Sequence, residues 1–216
     1  MRIMGSKFER LLNKGCKFLT RGHDFVEIGG IKWATCNVGA EKPTDAGLYF
    51  AWGETKGYTA KEIDERKHCF TAESYNLDRG SAKYNEYDRK TVLDRIDDPV
   101  AINWGGRWRL PTAEELQLLK TCSFFIFVKD YEHSGVNGLL IIDKQCHERK
   151  IFLPAAGYGN FFNCEAKNEF GLYWNRTLSN CSTSCGGSLR FYIDVTDWDD
   201  CYNRSFGFSV RGILDI

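Results

Sequence analysis

Apolar positions fall into distinct patterns along the chain, and each pattern predicts a different element. Between residues 6 and 19, Phe8, Leu11, Leu12, Phe18 and Leu19 share one helical face with basic residues opposite. That spacing predicts a short amphipathic helix docked on the body, with a membrane-surface helix as the alternative. DFVEIGGIKWATCNV (24–38) reads as two short strands joined by a Gly29-Gly30 turn, and GLYFAWGE (47–54) as a further aromatic strand. From Thr55 to Asp98 the chain is polar and weakly periodic, which predicts surface excursions with brief helical turns and little buried apolar area. Asp98-Pro99 opens a short helix through Asn103 that Gly105-Gly106 ends. Thr112 followed by Glu115 forms a capping box with Pro111 just outside, and Leu116, Leu118 and Leu119 continue that helix. Beyond it, Phe124–Val128, Gly138–Ile142, Ile151–Pro154, LYWNRTL, SLRFYIDV and GFSVRGI predict strands separated by turns. One capped helix ahead of many short strands predicts a single α+β domain over 23–216, behind an N-terminal helical extension at 1–22. No internal repeat or linker interrupts it.

Composition narrows the function classes. Lys plus Arg and Asp plus Glu each number 29 in 216 residues, so no bulk charge draws the chain to nucleic acid or an anionic membrane. No stretch approaches the ~20 apolar residues of a membrane span, so no membrane insertion is expected. Lys7, Arg10, Lys14 and Lys17 break the first nineteen residues, and neither a secretory signal nor the apolar run ahead of a lipoprotein box at Leu11, Leu12 and Cys16 is expected. The route to a cell or virion surface is therefore open. The nine cysteines are odd in number and contain no CxxC pair, which favours a reduced state and argues against zinc ribbons and thioredoxin chemistry. The four histidines do not recur at ligand spacing, and no metal or cofactor is expected. Asp194, Asp197, Asp199 and Asp200 could hold calcium, but they lack the EF-hand pattern, and a polar turn is the preferred reading. No Ser-His-Asp order, phosphate loop or dinucleotide fingerprint occurs, and paired carboxylates for glycoside hydrolysis do not stand out.

Several blocks in order carry a resemblance: KWATCNVGA (32–40), YFAWGET (49–55), NWGGRWRLPTAEEL (103–116), GVNGLL (135–140), FLPAAGYG (152–159), GLYW (171–174) and FGFSVRG (206–212). Together they span about residues 24–213, and the chain resembles the major-paralogous-domain proteins common in gut and rumen bacteria. The resemblance implies a C-type-lectin-like fold of the formylglycine-generating-enzyme type: short antiparallel strands, one or two helices and long surface loops. Two branches share that fold, and fold alone does not choose between them. The oxidase branch binds copper through a closely spaced C-terminal cysteine pair. Here Cys201 is the only cysteine between Asp194 and Ile216, with Cys181 and Cys185 upstream, so the chain departs from that pattern. The other branch comprises the variable proteins of diversity-generating retroelements, in which a segment ending near a GFxVR-like sequence is rewritten by adenine-directed mutagenesis. That branch implies a hypervariable ligand-binding protein, not an enzyme, from a phage or gut bacterium. A non-diversified surface or adhesion paralogue is the alternative.

The resemblance implies a compositional test. Adenine mutagenesis of AAY codons never produces Lys, Glu, Gln, Met or Trp. Residues 1–174 hold 33 Lys, Glu, Gln and Met residues, about one in five, whereas the 42 residues from Asn175 to Ile216 hold none. Strands disfavour Lys and Glu, but they disfavour Asp more, and the same segment carries five Asp and four Arg. Trp198 must then be a scaffold position.

Alternation along the strands divides the variable region, about 175–206, into two sets. Leu178, Leu189, Phe191, Ile193, Trp198, Phe208 and Val210 are expected to point inward. Asn175, Arg176, Ser179, Asn180, Ser182, Ser184, Arg190, Tyr192, Asp194, Thr196, Asp199, Asp200, Tyr202, Asn203, Ser205 and Phe206 are expected to be exposed and to contact an unknown protein or glycan ligand. Tyr192, Tyr202 and Phe206 are the expected anchors, because aromatic side chains give contact area at low entropic cost. Neither the ligand nor the oligomeric state is encoded in readable form.

Overall fold

The computed structural model describes residues 22–66, 69–78 and 83–215. The amphipathic helix expected at 6–19 lies outside the described residues. In chain order the first half contains β1 (Phe25–Ile28), β2 (Ile31–Asn37), β3 (Tyr49–Phe50), α1 (Ala60–Arg66), α2 (Pro99–Trp104), β4 (Trp108–Arg109) and α3 (Ala113–Cys122). The second half contains β5 (Ser123–Val128), β6 (Gly138–Asp143), β7 (Lys150–Pro154), β8 (Tyr158–Gly159), β9 (Cys164–Glu165), β10 (Gly171–Leu178), β11 (Cys185–Tyr192), β12 (Val195–Asn203), β13 (Phe208–Ser209) and β14 (Arg211–Leu214). The molecule is a mixed α+β protein built mostly from sheets. No described helix is long and apolar enough to cross a membrane.

Local signals account for the clearest elements. Gly29 and Gly30 both take positive φ and turn β1 back on β2. The Asp98 side chain accepts from Val100 and Ala101 at the start of α2, and Gly105 closes it. Thr112 and Glu115 satisfy each other's backbone donors, so the expected capping box opens α3.

Four sheets result. They run β1-β2-β14-β4, β12-β11-β10-β13-β3, β5-β6-β7 and β8-β9. The five-stranded sheet matters most for function. Its central strand β10 is covered on both faces: Leu172 and Trp174 enter one apolar cluster, and Tyr173 enters the other. Among the described residues its strand β12 pairs only with β11 and forms the edge.

The buried Arg211 ties these layers together. Its guanidinium donates to Asn37 Oδ1 at 3.0 Å and to the carbonyl oxygens of Ala34, Thr35 and Phe152 at 2.9–3.0 Å. These bonds join β14 to β2 and β7 and replace the water that burial removes. Gly207, in the same GFSVRG block, lies against the Phe70 ring, where a Cβ would clash.

Three expectations need correction. The strand expected at 47–54 is only two residues long, because the chain turns at Gly53, which takes positive φ. The polar stretch 55–98 buries more than its composition suggests: Ile63, Phe70, Tyr75, Leu77, Tyr84 and Leu93 all enter the core. The two tyrosines stay satisfied there, since Tyr75 donates to the Trp52 carbonyl at 2.7 Å and Tyr84 donates to Asp97 at 2.5 Å. SLRFYIDV is not one strand. It folds back at Ile193-Asp194, with Tyr192 paired to Val195 and Asp194 at φ 60, so Ile193 is about half exposed rather than inward.

Candidate functional site

The register of β10, β11 and β12 decides which candidate residues meet. Leu172 lies opposite Arg190, Gly186 opposite Tyr202, Ser188 opposite Asp200, and Arg190 opposite Asp197. Paired residues share a face, so Arg190, Tyr192, Asp197, Asp200 and Tyr202 stand on one side of the sheet. Leu189, Phe191 and Trp198 lie on the other side, buried in the second cluster as expected. A register shift between Ser188 and Arg190 lets this division persist past Trp198.

Arg190 organises the face. Its Nε lies 2.8 Å from Asp200 Oδ2 and its Nη2 lies 3.6 Å from Asp197 Oδ2. Its Nη1 donates to the Tyr202 hydroxyl at 3.4 Å, and the guanidinium carbon sits 5.9 Å from the centre of the Tyr192 ring. Tyr192 in turn packs on Phe170, with ring centres 4.9 Å apart. Beside this network the rings open a cavity of about 230 Å³ lined by Tyr158, Ala166, Phe170, Leu172, Tyr202, Phe206 and Phe208. Leu172 and Phe208 are fully buried and form its floor, while the remaining lining residues are half-buried. The Tyr158 hydroxyl donates to Glu165 Oε2 at 3.0 Å, and burial followed by this carboxylate contact raises its pKa.

Two of the three expected anchors, Tyr202 and Phe206, thus line one cavity, and Tyr192 lies one ring away. The other candidates separate into groups. Asn180, Ser182, Ser184 and Asn203 are exposed, and Ser179 and Ser205 are half-buried, at the end where Arg204 N donates to the Ser184 carbonyl. Asp194 is exposed on the hairpin turn. Thr196 pairs with Phe191 and therefore sits on the opposite face. The Asp199 side chain is outside the described set. Arg176 points away, its Nη2 donating to the Leu93 carbonyl at 2.6 Å.

Asn175 is a correction: it is fully buried, not exposed. Alternation fails there because β10 has protein on both faces, as buried central strands do. The Asn175 Oδ1 accepts from Thr177 N at 2.7 Å, and its amide packs where a side chain at Gly187 would otherwise go.

The residues missed from the sequence are Tyr158, Ala166 and Phe170, which precede the variable region yet supply three of the seven residues that line the cavity. FLPAAGYG was noted as a block, but nothing local indicates that its tyrosine reaches β12. The cysteines also meet in an unforeseen way. Hydrogen bonding with the Cys181 side chain, with burial second, raises the Cys201 pKa. Among the described residues, however, no group of three or more His, Cys, Asp or Glu side chains is arranged to hold a metal.

No family model, curated protein or solved structure matches the chain.

Proposed function

We propose that this chain is a ligand-binding protein rather than an enzyme: a variable protein of the diversity-generating-retroelement kind on a C-type-lectin-like scaffold of the formylglycine-generating-enzyme type. One coincidence carries the reading. The segment without Lys, Glu, Gln or Met is the segment that supplies Arg190, Tyr192, Asp200, Tyr202 and Phe206 to one face. The gap belongs to the segment as a whole, and it is this segment that furnishes the exposed side of β11 and β12. Rewriting at exposed positions, with Leu189, Phe191 and Trp198 kept for packing, would produce both features together.

The face suits recognition. Tyrosines supply area, and Asp, Asn and Ser supply adaptable hydrogen bonds around them. Its partner would be a protein or a glycan at a surface. A non-diversified surface paralogue would present the same face without the compositional gap.

Sequencing the locus and its sister copies tests the reading. A reverse transcriptase and a template repeat differing from the coding sequence of residues 175–206 only at adenines are expected. Sister copies that vary equally at all bases, with no template, would move the assignment to the non-diversified paralogue. Turnover in a copper-dependent oxidation assay on cysteine peptides would instead establish the oxidase branch.

A further inference from the structure

The cavity beside Tyr202 has a chemistry narrower than general adaptability. Its walls are the rings of Tyr158, Phe170, Tyr202 and Phe206, over a floor of Leu172 and Phe208. Tyr158 and Tyr202 stand at 77° and 83° to Phe206, with centres 6.0 and 6.5 Å away, so the rings form the corner of a box. An apolar cavity of about 150 Å³ accepts a benzene-sized guest, and this one, at about 230 Å³, is half as large again.

Two features choose the guest. The first is charge. Glu165 sits on the Tyr158 hydroxyl, and Arg190 on the Tyr202 hydroxyl is flanked by both Asp197 and Asp200. Lys167 and Asp64 cancel each other nearby. Among the described residues Arg190 meets two carboxylates and Glu165 adds a third, so carboxylates outnumber guanidinium and ammonium groups around the cavity. Arg204, the cation next in sequence to Phe206's turn, faces inward over the Trp52 ring. The second feature is the shortage of hydrogen-bonding groups. The two tyrosine hydroxyls are the side-chain polar groups of the lining: Tyr158 gives its proton to Glu165, and the Tyr202 oxygen accepts from Arg190. A sugar, with several hydroxyls to satisfy, would find fewer partners there than in water, and a primary ammonium would have to direct its three donors to the tyrosine oxygens and rim carboxylates instead of to the ring faces.

An apolar exterior with positive charge satisfies both features, since aromatic faces attract a cation through their quadrupole. We infer that this cavity binds a quaternary ammonium group of the trimethylalkylammonium class. The inference rests on reading this face as a binding face, but not on its diversification.

The test titrates the full chain with choline and with its uncharged carbon isostere, dimethylbutanol, by calorimetry at low and moderate salt. Choline should bind at least about five-fold tighter than the isostere and weaken as salt rises. Tyr202→Ala should weaken choline by about ten-fold. Glu165→Gln should weaken choline while leaving dimethylbutanol unchanged, with near-ultraviolet dichroism verifying the fold. Equal affinity for the two probes, or binding of neither, would overturn the inference. Neither result bears on the template repeat, so the two readings fail independently.

Discussion

At the scale of single residues, Arg211 is the clearest case of a polar group serving the scaffold rather than the ligand. A guanidinium with its charge buried survives only where fixed acceptors surround it, and residues from β2 and β7 supply them. Arg211→Lys keeps the charge but cannot span the same acceptors. It should destabilise the protein by about 3 kcal/mol or more, since each buried group left unpaired costs roughly 1–3 kcal/mol; urea unfolding measures this. Tyr192, half-buried on the hairpin, should behave in the opposite way. Tyr192→Ala should change stability by about 1 kcal/mol or less while weakening whatever ligand the face holds, which thermal melting and a binding titration separate. The sequence marked both positions, but only burial tells which serves packing and which serves binding.

At the scale of elements, the short-range signals were readable and the long-range ones were not. The caps of α2 and α3 and the Gly29-Gly30 turn depend on neighbours within a few residues, so their sequence signatures carried them. Asn175 and Ile193 were misplaced because their environments depend on a central strand and a tight hairpin that alternation alone does not reveal. Tyr158 reaches the cavity only through tertiary folding. The α3 cap also has a pH consequence. Burial of Glu115 works against its charge, but the Arg109 guanidinium at 2.7 Å and the Thr112 N–H outweigh it and hold the carboxyl below its ordinary value of 4.5. A lowered folded pKa stabilises fully above the unfolded value and is lost as pH falls through the folded one. Acid unfolding of the wild type should therefore include a component below pH ~4.5 that Glu115→Gln removes, as a melting series from neutral to acidic pH would record. The edge strand β5 carries a different liability. Phe124, Phe125 and Ile126 are all exposed there, with no charge or proline within the strand to block pairing. Ile126→Lys should reduce self-association in light scattering with little change in melting temperature.

For the whole molecule, β10 makes the two apolar clusters one cooperative unit, because consecutive residues of one strand belong to both. Calorimetry should show a single unfolding transition. Trp174→Ala should lower stability by about 3–5 kcal/mol without splitting that transition. The fold class followed from the order of one capped helix and many short strands, whereas the sharing of β10 by two clusters required the three-dimensional arrangement. The position of β12 has a further consequence. A strand with one neighbour transmits a substitution to one partner strand only, and here the outward residues Asp197, Asp200 and Tyr202 converge on the single residue Arg190 of that strand. A lineage exploring new side chains there therefore needs compensation at one position of the neighbouring strand and not throughout the sheet, so the coupling between new variants is confined to a single hub.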